Sequence, residues 1–285
     1  MSKQFLMVIS FLVIELGILF SSEMFLVDGG VNNIILTSLP ATPLPASKVA
    51  GTDVLLNLLV PDMEYITLGS CSDFSAVENL GRQIGRLFKT KGIDFWVFGS
   101  FKVIADDSND VLSRVSRSPF LTAHVMSTLA HGLQTAGVVP VFDFRKGYDV
   151  DVLQALISRR AVYPFVVSSD EEAKEISGIG FVRPYFVDTG NVWLLHNGNS
   201  VQLEYTWNEL QEPDLEGARK EILRKSIVLL KPEVSKGKGR IFIKEIPAKV
   251  PQEGGVVIFA NDTWLMDLAR AVLSGAEPAT GRKSW

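Results

Sequence analysis

Residues 94–100 read DFWVFGS, residues 121–135 read LTAHVMSTLAHGLQT, and residues 138–144 read VVPVFDF. The outer runs are short, continuous and rich in aromatic and β-branched residues, the pattern of strands buried on both faces. The middle run is apolar at helical spacing, with Pro119 at its entrance and Gly137 past its end, where those residues suit a helix. Strand, helix and strand in that order predict a parallel pair joined by a crossover. The pattern extends outward. Residues 73–90 place Val77, Leu80, Ile84, Leu87 and Phe88 on a helical face, begin beside capping side chains at 71–73, and end before Gly92. Apolar runs at 5–11, 33–38 (NIILTS), 54–60, 163–169 (YPFVVSS), 181–188 (FVRPYFVD) and 192–197 (VWLLHN) bring the strand candidates to eight. Eight such units predict an α/β fold of the TIM-type (β/α)8 barrel, irregular in places, over residues 1–212; an open doubly wound sheet is the alternative.

Composition shifts at Gln211-Glu212-Pro213-Asp214. A charged helix at 215–225, apolar runs at 226–230, 240–246 and 256–260, and a helix at 263–273 predict a small α/β segment, 213–285. A sheet that small has open edges and little core, so it must pack on the barrel or on a partner subunit.

Hydrophobic residues make up 47% of the 285 residues, enough for a full core. The formal net charge of −4 offers no broad basic face, so no nucleic-acid partner is expected; the short Lys-rich stretch at 231–238 reads as a solvated loop. Cys71 is the single cysteine, which excludes an intrachain disulfide and a multi-cysteine metal site, and it reads as a buried thiol more than as a nucleophile. His124 and His131 share a helical face without a third ligand, so no metal is expected. No G-x-G-x-x-G follows a strand, and no cofactor is expected. The start, with Lys3 before apolar 5–9 and 11–14, has features of a secretory leader over 1–22, but Glu15 interrupts the run and no A-x-A site follows. The preferred reading is a buried strand in a cytoplasmic protein with no membrane association.

In a β/α barrel the strand ends carry the chemistry. Asp143, Asp170 and Asp188 close three successive strand candidates and would meet at one rim. Two carboxylates about 5–5.5 Å apart suffice for retaining glycoside hydrolysis. The plainer role of such residues is helix capping, which fits Asp170 in Ser168-Ser169-Asp170-Glu171-Glu172 best. Lys102 suggests a salt bridge to Asp143, or, with Arg114, an anion site. Trp193 and Trp207 flank the rim and suit stacking on a sugar or core packing equally; His196 reads as a core or rim histidine.

Several segments resemble glycoside hydrolase family 3, which includes β-glucosidases and β-N-acetylhexosaminidases. They are Lys91-Gly92-Ile93-Asp94-Phe95, Val111-Leu112-Ser113-Arg114, Pro119-x-Leu121-x-Ala123 and Gly132-Leu133-Gln134-x-x-Gly137-Val138. Lys3-Gln4-Phe5-Leu6-Met7-Val8 is similar to the family's first strand, residues 224–231 to the start of its second domain, and Gly275 with Pro278-x-x-Gly281-Arg282 to its closing turn. The resemblance implies a barrel with a shortened second domain, a saccharide at the rim, Arg114 as a substrate-contacting residue and Asp188 at the nucleophile position. It also implies losses. Lys102 stands where the family grips its sugar with Asp, and Asp143-Phe144-Arg145-Lys146-Gly147-Tyr148-Asp149 replaces its Lys-His loop. The expectation is a divergent, pseudoenzyme-like relative with little or no glycosidase activity and a carbohydrate or small-anion pocket built from Arg114, Lys102 and Trp193. Two alternatives stand: an active β-N-acetylhexosaminidase or β-glucosidase using Asp188 as nucleophile and another carboxylate such as Asp143, and a structural, homo-oligomeric protein.

Overall fold

The computed structural model describes residues 23–27, 33–36, 47–50, 56–90, 93–105, 110–183, 185–188, 192–196, 212–231, 239–247 and 250–285. The strand expected at 5–11, the leader alternative at 1–22 and Trp207 lie outside them. The first sheet holds β1 (Glu23–Val27), β2 (Asn33–Leu36), β3 (Ser47–Ala50), β4 (Ile93–Phe98), β5 (Val139–Asp143), β6 (Phe165–Val167), β7 (Tyr185–Asp188) and β8 (Val192–His196). Its helices are α1 (Leu56–Leu59), α2 (Tyr65–Ser70), α3 (Phe74–Thr90), α4 (Pro119–Thr135), α5 (Val150–Ser158) and α6 (Asp170–Gly178).

The alternation of helices and strands confirms an α/β fold, but the regular (β/α)8 pattern does not form. Strands β3 to β7 pair in parallel, each with the next. The β1–β2, β2–β3, β7–β8 and β1–β8 pairs are antiparallel, and the hydrogen-bonded order runs from β1 to β8. Chain length explains the departure at β8. Only Thr189-Gly190-Asn191 separates β7 from β8. A parallel return needs about a dozen residues, whereas three suit a hairpin. The strand expected at 54–60 is also absent: residues 56–59 form helix α1. Leu56 and Val60, four apart, are both buried, as one helical face requires. Strands β1 and β3 are additions. Ser47-Lys48-Val49-Ala50 is too short and too mixed to stand out as an apolar run.

The best-defined unit is the one that decided the reading. Ser118 caps α4, its Oγ accepting from the Leu121 N–H at 3.3 Å, and Pro119 occupies the first turn. Helices α3 and α4 then meet backbone to backbone. A Cβ on Gly81 would fall 2.3 Å from the Leu129 carbonyl oxygen, and one on Gly132 would fall 2.1 Å from that of Glu78. On the helix-covered face of the sheet, Phe98, Phe142, Phe144, Phe165 and Phe181 form a buried aromatic column, with Phe142 and Phe144 centroids 6.2 Å apart.

The C-terminal residues form α7 (Leu215–Lys225), β9 (Val228–Leu230), β10 (Arg240–Ile243), β11 (Gly255–Ile258) and α8 (Thr263–Ser274), with the sheet order β10-β11-β9. Their core includes Ile66 of α2 and Ile104, so they share apolar surface with the first sheet's helices. The last residues fasten the contact. The Gly281 N–H donates to the Ile227 carbonyl at 2.7 Å, and a Cβ there would fall 2.5 Å from the Ser226 carbonyl carbon. Arg282 donates its backbone N–H to Ser70 and its Nε to the Cys71 carbonyl, both at 2.8 Å, and its guanidinium lies 4.3 Å from the Phe74 ring centroid. The Ser284 carbonyl accepts from the Arg117 N–H and from Ser116 Oγ, both at 2.9 Å.

Two expectations follow. Ala is favoured over Gly in a helix interior by about 1 kcal/mol, but overpacking against immobile backbone costs about 1–3 kcal/mol. Gly132→Ala should therefore lower stability by about 1–3 kcal/mol in urea unfolding. Gly178→Ala, where an added Cβ meets nothing within 4 Å, should leave it unchanged or slightly raised. The second concerns pH. Asp62 pairs with Lys244 and, at 2.9 Å, with Arg219, and those cations, Lys244 first, hold its carboxyl below the ordinary 3.8 despite the opposing pull of burial. The folded pKa lies below the unfolded one, so this stabilisation is full above the unfolded value and is lost as pH falls through the folded one. Asp62→Asn should destabilise the protein at pH 7, and its difference from wild type should shrink at pH 3; a difference independent of pH would show that the ionised carboxylate contributes nothing.

Candidate functional site

Because β4 to β7 are parallel, their C-terminal ends lie along one edge of the sheet. The chain leaving β4 turns at Gly99, which holds φ 132, a conformation glycine tolerates and in which a Cβ would strike the Phe101 ring. The Gly99 N–H donates to Tyr65 Oη at 3.0 Å, tying this end to α2. Phe101 forms a bridge with Tyr148 beyond β5, the Asp149 N–H donates to the Phe101 carbonyl at 2.9 Å, and Asp149 Oδ2 accepts from the Val103 N–H at 2.6 Å. The loops after β4 and β5 are thus stitched together.

Between these loops, α1, α2 and residues 110–114 lies a cavity of about 290 Å³. Its walls include Leu56, Met63, Glu64, Tyr65, Ser100, Phe101, Asp110, Ser113, Arg114 and Lys146, with Gly99 and Gly147 at the turns. That size lies at the lower end of the roughly 300–1,000 Å³ of small-molecule sites. Its lining sets three apolar side chains, Leu56, Met63 and Phe101, among polar and charged ones, a more polar wall than most small-molecule sites have. Burial, reinforced by the charge of nearby Asp143, pushes the Tyr65 phenol up, so it stays protonated and able to donate at neutral pH.

Of the residues singled out from sequence, Arg114 borders this cavity. Asp143 does not. Its side chain is 0% exposed, and its carboxylate accepts from the Arg145 backbone N–H at 3.1 Å, from Nε at 2.9 Å and from Nη2 at 3.2 Å. This fork is the bidentate geometry of a strong charge-assisted pair. The partner expected for Asp143 was Lys102; the structure supplies Arg145, two residues on. The Lys102 chain instead lies across Gly147, its Cε 2.2 Å from where a Cβ would stand. Asp188 ends β7 and pairs in register with Trp193, which is near the start of β8. From Asp143 the register runs through Val166 to Phe186, so Asp188 stands two strands across and two residues further on. At roughly 4.8 Å between strands, the two backbones are about 10 Å apart across the sheet. The cap of α6 is Ser169, whose Oγ accepts from the Glu172 N–H; Asp170 is the first helical residue, and its carboxylate accepts from the Tyr185 hydroxyl at 3.3 Å.

Sequence reasoning missed Tyr65, Glu64 and Ser100. Glu64 and Tyr65 enter from a stretch with no strand signal. Gly99-Ser100 did carry a signal, a glycine directly after a buried strand, where the backbone must turn sharply. His124 packs on the Phe74 ring at 3.7 Å, and burial, then the charges of Arg159 and Arg282, lower its pKa. His131 lies 3.5 Å from Glu78. Among the described residues no group of three metal-ligating side chains occurs, and no helix is long and apolar enough to cross a membrane.

No protein-family profile and no curated protein matches the sequence. Among solved structures, the fold is similar to a family 3 β-glucosidase of Bifidobacterium adolescentis, at 11% identity over 76% of this chain and 45% of that one, with a TM-score of 0.47. It is also similar to β-glucosidase 3B of Thermotoga neapolitana in complex with glucose (12%, 75% and 42%, TM-score 0.44). A third is a β-glucosidase of Streptomyces venezuelae in complex with D-glucose (13%, 75% and 38%, TM-score 0.44). The chain spans less than half the length of each. These likenesses concern the arrangement of helices and strands and carry no argument about activity.

Cys71 is fully buried, donates to the Asp73 carbonyl at 3.3 Å, and has its thiol pushed up to about 11, chiefly by burial. A reactive cysteine needs an exposed, stabilised thiolate. Native protein at pH 8 should react with a chromogenic disulfide reagent only at its unfolding rate, and urea should release one thiol at once; rapid labelling of folded protein would restore Cys71 as a nucleophile.

Proposed function

We propose that this chain is a divergent relative of glycoside hydrolase family 3 that binds a monosaccharide-sized ligand at the C-terminal strand edge without efficient hydrolysis. The observation that carries this reading is a cavity that includes Arg114 while Asp143, the best-placed second carboxylate, is buried and held by Arg145. The sequence resemblance supports a saccharide as the ligand, since Arg114 matches the family's substrate-contacting arginine. The size of the cavity supports one ring more than a chain of them. Catalysis is disfavoured on chemical grounds. General acid–base assistance is worth about 10² to 10⁴ in rate, and the Asp143 carboxylate, buried with both oxygens taken up by Arg145, is not presented to a substrate. In this reading Asp188 remains as the family's nucleophile position without a partner acid. Cytoplasmic location and self-association remain part of the proposal, and neither bears on the cavity.

The test is paired. Glucose and N-acetylglucosamine titrated into the protein should raise its melting temperature in a saturable way, and Arg114→Ala should abolish the rise. Nitrophenyl β-glucoside and β-N-acetylglucosaminide should show no turnover above the buffer rate, with Asp188→Asn indistinguishable from wild type. Turnover that disappears in Asp188→Asn would replace this reading with the active glycosidase.

A further inference from the structure

The cavity is supplied with hydrogen-bond donors that have no acceptor. Ser100 is only 7% exposed, borders the cavity, and its Oγ has no hydrogen-bond partner among the described residues. Buried hydroxyls in folded proteins are nearly always paired, so this one marks a position that something else fills. Tyr65 Oη accepts from the Gly99 N–H, which leaves its own O–H proton to be given away, and burial, which raises the phenol's pKa, keeps that proton in place. Arg114 is half-buried, and among the described residues its guanidinium makes no hydrogen bond and no ion pair. A guanidinium donates only and accepts nothing. Lys146 adds a second cation at the exposed lip, also without an ion pair among the described residues.

Two carboxylates border the same space, but both are engaged. Asp110 accepts from the Ser113 hydroxyl, and Glu64 already has a partner. The nearby backbone donors are used as well, Gly99 N–H by Tyr65 and Gly147 N–H by the Phe144 carbonyl at 2.8 Å. What Arg114 and Ser100 lack is an acceptor within hydrogen-bond distance, which Glu64 and Asp110 on the same walls do not supply. A neutral sugar hydroxyl supplies acceptor and donor in equal measure and leaves the Arg114 charge uncompensated. A carboxylate or phosphate oxygen set accepts only and pairs with a guanidinium fork directly.

We infer that the occupant of this cavity is an acidic monosaccharide, a pyranose carrying a carboxylate or phosphate, whose anionic group is received by Arg114, Ser100 and the Tyr65 hydroxyl. The inference rests on the saccharide reading above and adds the charge of the ligand. Hydrogen bonds to charged groups contribute about 1.5–3 kcal/mol, so one such contact should favour the acid over the neutral sugar by about tenfold or more.

Calorimetric titration of the full chain with glucuronate, glucose 6-phosphate, glucose and inorganic phosphate separates the outcomes. Glucuronate or glucose 6-phosphate should bind at least about tenfold tighter than glucose, and whichever does so identifies the acid. Arg114→Gln should erase that preference, Arg114→Lys should restore part of it, and Ser100→Ala should reduce it several-fold with an unchanged melting temperature. Glucose binding as tightly as both acids would overturn the inference while leaving the saccharide reading intact. Inorganic phosphate matching the better acidic sugar would overturn both, since the ring would then contribute nothing. No binding by any of the three sugars would likewise overturn both.

Discussion

The contact that everything else depends on is the seam between α3 and α4, where two helix backbones touch because no side chain intervenes. Gly81 faces the Leu129 carbonyl and Gly132 faces that of Glu78, each at a distance no Cβ could occupy. Helices ordinarily pack 8–10 Å apart according to the side chains between them, so glycines at both crossing points bring this pair to the short end of that range. Helix α4 is also the crossover that joins β4 to β5. Its closeness to α3 therefore fixes where those strands end, and the cavity lies between the loops that follow them. Polar pairs flank the same seam, Arg82 donating to Thr135 and His131 lying 3.5 Å from Glu78.

The second fastening works from the other end of the chain. Residues 281–284 lace Ser70, Cys71, Ser116 and Arg117 to the small C-terminal sheet through backbone and guanidinium hydrogen bonds. These contacts hold α2 and the segment around residue 115, and the same two pieces of chain supply Tyr65 and Arg114 to the cavity. Polar contacts of this kind contribute about 1 kcal/mol each, less than the apolar surface shared through Ile66 and Ile104, but they set register where apolar contact alone does not. The Gly-Arg pair that suggested a closing turn in the sequence thus has a mechanical role: Gly281 permits the close approach to Ser226, and Arg282 reaches back to Cys71.

The parts of the fold readable from sequence were those in which period and punctuation agree. Residues 93–143 are the clearest case, since two buried strands and a helix started by Pro119 and ended before Gly137 specify a parallel crossover. The C-terminal helix α7 was readable for the same reason, with Asp214 as its cap and Arg224 and Lys225 in its last turn. The failures have specific causes. Leu56-Asn57-Leu58-Leu59 is apolar enough for a strand, and its burial at spacing four appears only once neighbours are in place. Ser47–Ala50 has no hydrophobic run at all; its pairing with β2 and β4 supplies what its composition lacks. At the site, charge complementarity misled. Lys102 and Asp143 are opposite charges near adjacent strand ends, but Arg145 reaches the carboxylate with three donors from two residues away, and proximity along the chain outweighed the longer reach.

The antiparallel β8 changes what the edge of this sheet can present. In a uniform parallel ring, a residue near the start of the eighth strand would lie at the opposite end from the strand tips. Reversal of β8 brings its beginning to the tip of β7, and Trp193 becomes the register partner of Asp188. The edge therefore includes the ends of the parallel strands β3 to β7 and the start of the reversed β8. Asp188 and Trp193 are thereby adjacent in backbone, while Asp143, two strands away, is committed to Arg145. Retaining hydrolysis requires two carboxyl groups at about 5–5.5 Å, both free to exchange protons or bonds, and Asp143, with both oxygens held by Arg145, is not free in that way. Donors gathered around Arg114 without an acceptor require only that a ligand arrive. On the proposed reading, the locked Asp143 and the donors around Arg114 suit this edge to holding a small molecule.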